Sequence, residues 1–228
     1  MQSNRNQHGF TLVELVFVIA IIVVLASIFL PLAFTKLQKS EEASVDASIQ
    51  EIAVALTAFY DDIRHFPTCD HATDCSPFPG TDNNIVLVAF GDGFGDLSSS
   101  YPIAATGAGN WDFAVNGEAA QARNNSANHV VQNDPIANGT PGEATDYTVS
   151  GSRRWRGPYL ARVGVDPWGR AFIAYVGAME QNGQTVAGAG ATPQRGWILS
   201  AGPNNTLDTL PSSNSLSGDD RGFIFNSQ

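Results

Sequence analysis

The sequence Gly9-Phe10-Thr11-Leu12-Val13-Glu14-Leu15 sets one carboxylate at the head of an apolar run. From Leu15 to Phe34, twenty residues, everything is apolar except Ser27. A helix of that length spans roughly 30 Å, the thickness of a bilayer core. A charged side chain within such a helix costs about 2.5–3.5 kcal/mol. Glu14 therefore calls for a partner, and no basic residue stands nearby; the sequence supplies none in cis. A secretory signal would have an apolar region of about 7–15 residues followed by small residues at a cleavage site. This run is longer and ends in Leu32-Ala33-Phe34-Thr35-Lys36 without an Ala-x-Ala site. Arg5 precedes the run and Lys36 and Lys39 follow it, so a count of positive charges favours the wrong orientation for an exported domain. Pro31, inside the run, removes one helix hydrogen bond and kinks or opens the helix.

The chain has 228 residues and a formal charge of −10. An acidic chain with no basic stripe is no nucleic-acid binder by charge. The residues beyond the apolar run suffice for one globular domain. The two cysteines, Cys69 and Cys75, flank Asp70-His71-Ala72-Thr73-Asp74. That spacing is no CxxC redox pair, and no second cysteine pair completes a zinc site. It suits a short-loop disulfide in an oxidising compartment, with metal binding by Cys69, His71 and Cys75 as the rival.

Beyond Phe34 the pattern changes but the helix continues. Val45, Ile49, Ile52, Leu56 and Phe59 are spaced 4, 3, 4 and 3, one stripe of an amphipathic helix. Ser40, Glu41, Glu42, Asp46 and Glu51 lie off it. His65-Phe66-Pro67 ends the helix. From Cys69 to about Gly151 the chain is rich in Gly, Asn, Ser, Thr and Ala, with Ile85–Phe90 as a candidate buried strand. Gly91-Asp92-Gly93-Phe94-Gly95-Asp96 lacks the Lys-Ser/Thr of a phosphate loop and reads as a turn. Order returns at Trp155. Asp166-Pro167-Trp168-Gly169 predicts a turn in which Asp166 accepts from the backbone beyond it. Phe172–Val176 reads as a strand and Arg195–Ser200 as its hairpin partner. His65, His71 and His129 are isolated, with no nucleophile, elbow or zinc motif around them, so nothing points to an enzyme.

Gly9–Leu15 resembles the processing site of type IV prepilins and type II secretion pseudopilins. The resemblance implies that a prepilin peptidase cuts between Gly9 and Phe10 and methylates the new amino terminus at Phe10. The apolar run is then kept as both membrane anchor and assembly helix. Glu14 matches the family glutamate that meets the N-terminal amine of a neighbouring subunit, which supplies its partner in trans. Pro31 matches the proline at which the helix loosens when subunits leave the bilayer. Trp155-Arg156-Gly157-Pro158-Tyr159-Leu160 followed by Asp166-Pro167-Trp168-Gly169 resembles the major, G-type pseudopilin. The likeness covers about Phe10 to His65 and Trp155 to Phe225 but not Cys69 to Gly151, where this chain is longer than typical members.

The fold implied is α+β and pilin-like: a long N-terminal helix, transmembrane in its first half and amphipathic in its second, packed on a small antiparallel β-sheet. The divisions are a leader (1–9), the transmembrane half (10–35), the amphipathic half (36–64), a loop-rich insert (65–151) and a C-terminal sheet with a last loop (152–228). In the family that loop binds a structural calcium. The matching positions are Asn204, Asp208, Asp219 and Asp220, with Leu199 and Ser200 supplying backbone carbonyls. Asn204-Asn205 stands where the family often has Asp-Gly, which removes a charge and weakens such a site. The function implied is a homopolymeric subunit of a secretion pseudopilus that drives export of folded proteins. Its partners would be the peptidase, minor pseudopilins and the inner-membrane secretion platform. It would be held in the inner membrane with its domain in the periplasm, and would join a periplasmic filament on assembly. The alternatives are a type IV pilus major or minor pilin, for adhesion, motility or DNA uptake, and a membrane-anchored periplasmic protein.

Overall fold

The computed structural model describes residues 10–64, 66–67, 86–89, 103–104, 125–136, 138–162, 164–175, 195–210 and 213–226. The leader with Gly9, the Cys69–Cys75 stretch with His71, His65, the Gly91–Asp96 turn and the connection between the two hairpin strands lie outside them. The elements in chain order are α1 (Leu12–Ile63), β1 (Val86–Ala89), β2 (Ile103–Ala104), α2 (Ala127–Val130), β3 (Phe172–Tyr175), β4 (Arg195–Ser200), β5 (Thr206–Leu207) and β6 (Arg221–Asn226). The chain divides into two units, Met1–Ala43 and Ser44–Gln228, and α1 is continuous through the boundary.

In the first unit α1 is apolar on every side. Each large apolar side chain from Phe10 to Leu37 is between 49% and 90% exposed among the described residues. The helix is long and apolar enough to cross a membrane. Pro31 is accommodated within it, and two hydroxyls near it turn back on the backbone: Ser27 Oγ donates to the Val24 carbonyl at 2.7 Å and Thr35 Oγ1 to that of Pro31 at 3.0 Å. Such back-bonding satisfies hydroxyls that lipid cannot.

In the second unit the same helix is one-sided. The stripe expected from the 4-3-4-3 spacing is buried throughout: Val45, Ile49, Ile52, Leu56 and Phe59, extended by Ile63. It packs on Phe172 and Ala174 of β3, Ile198 of β4, and Val130, Tyr147 and Leu160. Burying a side chain of this size contributes about 1.5–3 kcal/mol. The helix ends at Ile63, two residues before the expected His65-Phe66-Pro67 stop. Arg64 takes a left-handed conformation, φ 69°, while its N–H still reaches the Tyr60 carbonyl at 2.7 Å.

The sheet is four-stranded and antiparallel, in the order β1-β3-β4-β6. The expected pairing of β3 with β4 is present, with Ile173 opposite Leu199 and Tyr175 opposite Trp197. Side chains alternate between the two faces of a strand. Phe172, Ala174 and Ile198 therefore meet α1, while Ile173, Trp197 and Leu199 form a second cluster on the other face with Ala201 and Leu207. Two features differ from the sequence reading. Arg221-Gly222-Phe223, assigned to the last loop, begins strand β6, which pairs with β4 over six residues. Within the insert, Asn125–Val130, Asn133, Asp134, Asp146 and Tyr147 are buried, with Ala127, Val130 and Tyr147 in the apolar core; the strand expected within Ile85–Phe90 forms over Val86–Ala89 and joins the main sheet. A second, parallel pairing joins β2 to β5.

Tyr159 secures the end of α1. Its hydroxyl donates to Asp62 at 3.0 Å and accepts from the Arg156 N–H at 2.9 Å, while the Arg156 guanidinium binds the same carboxylate at 2.9 Å. Its own N–H reaches the Val130 carbonyl at 2.7 Å, and its ring meets Phe59 and Trp155 edge to face. Gly157 must be glycine here, because a Cβ would stand 2.5 Å from the Trp155 ring and 2.9 Å from the Tyr159 ring. Burial, with the Asp62 carboxylate beside it, pushes the Tyr159 phenol up from 10.0 to about 12. Folding thus favours the protonated phenol, and the resulting stability is complete below pH 10 and lost as pH rises toward about 12. Tyr159→Phe should cost about 1 kcal/mol at neutral pH for the lost hydrogen bonds and flatten the alkaline loss; urea melts of both proteins across this range check it.

Candidate functional site

Three places carry the residues singled out in the sequence: the head of α1, the Asp166 turn and the last loop. At the head of α1, Leu12 is the first helical residue and Thr11 precedes it. The first N–H groups of a helix have no intrahelical acceptor. Glu14 Oε2 accepts from the Thr11 N–H at 2.9 Å and from the Thr11 hydroxyl at 2.9 Å, while the Glu14 N–H donates to Thr11 Oγ1 at 3.2 Å. These reciprocal bonds form a capping box. The expectation that Glu14 has no partner in cis is corrected: Thr11 is that partner. The signal was present as Thr-x-x-Glu ahead of an apolar run. Both Thr11 donors land on one carboxylate oxygen. Phe10, just outside the cap, is 90% exposed.

The Asp166-Pro167-Trp168-Gly169 turn forms as expected. Asp166 Oδ1 accepts from the N–H groups of Trp168 at 3.1 Å and Arg170 at 2.8 Å, and the Gly169 N–H returns to the Asp166 carbonyl at 2.9 Å. The other oxygen takes the Ser200 hydroxyl at 2.7 Å, joining the turn to the end of β4. Burial raises the Asp166 pKa against the opposing pull of these donors. Arg170 Nε also reaches Asn205 Oδ1 at 3.2 Å, tying the turn to the last loop.

The last loop runs from Ser200 to Arg221. Asp220 Oδ2 accepts from the N–H groups of Asp208 at 3.0 Å and Thr209 at 2.7 Å. Burial raises the Asp220 pKa, and the charge of Asp208 adds to the rise. Asp219 Oδ2 accepts from the Asn204 N–H at 3.0 Å, and Asp208 Oδ2 from the Asn204 side-chain amide at 2.9 Å. Gly218, at φ 63°, lies so close to the Asp208 carboxylate that no Cβ fits there. Asp219 Oδ1 and Asp220 Oδ1 are buried without a hydrogen-bond donor. The loop thus brings together Asn204, Asp208, Asp219 and Asp220. It does not recruit the Ser200 hydroxyl, which is committed to Asp166, and Leu199 sits within β4, opposite Ile173 and Gly222. Among the described residues no group of three or more His, Cys, Asp or Glu side chains is arranged as a metal site. His129 is a core residue whose Nδ1 lies 2.8 Å from the Tyr147 hydroxyl.

Removing the cap by Thr11→Val should destabilise the first turn of α1 by about 1 kcal/mol. Faster amide exchange at Val13–Leu15 in detergent micelles, with the rest of α1 unchanged, is the expected readout. Residues 4–30 match the family model of the prokaryotic N-terminal methylation motif. No curated protein and no solved structure matches the chain. The motif match, centred on the residues that cap and begin α1, supports a pilin-like subunit with an apolar N-terminal helix as membrane anchor.

Proposed function

We propose that the chain is a structural subunit of a type II secretion pseudopilus. The observation that carries this reading is the methylation motif at the head of a helix whose large apolar side chains are exposed among the described residues. A prepilin peptidase would cut after Gly9 and methylate Phe10, and α1 would leave the bilayer to pack against copies of itself. The in-trans role of Glu14 is compatible with its cap. Both Thr11 donors use one oxygen, so the carboxylate can also receive the N-methyl ammonium of a neighbour's Phe10. A buried ion pair of this kind serves register between subunits better than net stability. Minor pseudopilins and the inner-membrane platform are the further partners proposed, with a periplasmic domain and filament. The Trp155–Leu160 and Asp166–Gly169 segments favour the secretion pseudopilus. The length of 65–151 favours the second reading, a surface type IV pilin.

A structural calcium at the last loop is part of the same proposal. Asp219 Oδ1 and Asp220 Oδ1, buried and undonated, fit a cation, which prefers carboxylate, amide and carbonyl oxygens. Asp208, whose Oδ2 accepts from the Asn204 amide, is the neighbouring carboxylate. The ion would pin the loop to the sheet and perform no chemistry.

Intact mass and N-terminal sequencing of the protein from its native membrane should give a chain beginning at N-methyl-Phe10; a chain beginning at Met1 removes the processing reading. Glu14→Leu should remain in the membrane but lose filament assembly, scored by cross-linking into ladders. Full assembly by that variant would end the role given to Glu14.

A further inference from the structure

We infer that Asn204 is an internal cross-link that closes the last loop when no cation is bound and thereby sets the cation affinity of this chain low. The loop returns three carboxylates, Asp208, Asp219 and Asp220, to one region: Asp208 donates its N–H to Asp220, and Asn204 contacts both Asp208 and Asp219. Like charges brought together repel, and loop closure needs donors or a cation between them. Asn204 supplies donors to both arms. Its backbone N–H binds Asp219 and its side-chain amide binds Asp208. The amide oxygen accepts from the Thr206 N–H at 2.6 Å, and the backbone carbonyl accepts from the Thr206 hydroxyl at 3.3 Å, which fixes Asn204 at the entry to β5. Its neighbour Asn205 is held at φ 58° and bound by Arg170. Hydrogen bonds to a carboxylate are about twice as strong as neutral ones. Asn204 thus ties Asp219 through its backbone N–H and Asp208 through its neutral side-chain amide, adding no charge to the cluster.

The inference rests on the calcium reading in one respect only. A cation taking Asp208 as ligand competes with the Asn204 amide for that carboxylate. Asn204→Asp would reverse both properties: it adds a fourth carboxylate to Asp208, Asp219 and Asp220 without calcium, and a charged ligand with it.

The test uses the full-length chain in detergent micelles, with tryptophan-fluorescence melts of wild type, Asn204→Asp and Asn204→Ala in chelator and in calcium. In chelator both variants should melt at least about 2–4 °C below wild type. Calcium should restore Asn204→Asp to wild type or above, with calcium bound about tenfold more tightly than by wild type, and should leave Asn204→Ala behind. Variants that melt with wild type in chelator overturn the inference. So does a wild-type chain that falls in chelator as far as Asn204→Asp, an outcome that leaves the calcium reading standing. A wild-type melt indifferent to calcium, with Asn204→Asp falling in chelator and recovering in calcium, supports the cross-link and removes the wild-type calcium site.

Discussion

One side of α1, from Val45 to Ile63, is buried, and the apolar core of the second unit is built against it. The stripe repeats every three or four residues, so it presents a single face. A sheet whose strands alternate at every second residue can cover that face with half of its side chains. Phe172, Ala174 and Ile198 do so. The remaining half of the sheet then needs a cover of its own, and Leu207 and Ala201, from the chain just after β4, provide part of it. The loop that follows β4 is therefore tied to the second face of the sheet, and its position depends, through β4, on the helix.

The same helix faces two solvents. From Leu15 to Phe34 it presents an apolar surface interrupted only by Ser27; beyond Ser44 it offers a core on one side and water on the other. The helix stays continuous through both regimes. Thr11 and Glu14 close its first turn, where N–H groups lack intrahelical acceptors, and Ser27 and Thr35 place their own hydroxyls on carbonyls of α1. A polar group that bonds within the helix needs no water around it.

Periodicity made the helix, its stripe and the β3–β4 pair legible in the sequence, because each repeats over enough residues to outweigh local chance. The Asp166 turn was legible because Asp, Pro and Gly each have a single conformational reason to stand where they do. Three things were hidden. The Glu14 cap was missed because a charge beside an apolar run suggests an ion pair before it suggests a threonine. Strand β6 was missed because Gly222 interrupts its apolar alternation and the acidic loop runs directly into it. The core contribution of 125–150 was hidden by composition. Asn125, Asn133, Asp134 and Asp146 look like loop residues, yet they are buried because they serve the backbone: Asn133 bonds Tyr147 at both N–H and carbonyl, and Asp134 and Asp146 each take two N–H groups. In the last loop, Asp208, Asp219 and Asp220 were recognisable as a set, but the place of Asn204 between them depends on a fold that only the assembled strands create.

The pairing of β4 with β6 has a consequence for how the protein is made. Ile63 leaves the ribosome long before Ser200 and Asn226, the residues that complete the sheet over it. At translation rates of about 5–20 residues per second, the apolar stripe of α1 waits roughly 10–30 s for its partner strands. During that interval the apolar first half of α1 has already been made, and the stripe continues the same helix without a break. The stripe stays without its own sheet until Asn226 has emerged, and an apolar surface left open for so long is prone to aggregate, so the order of elements along the chain makes early protection of α1 part of its folding.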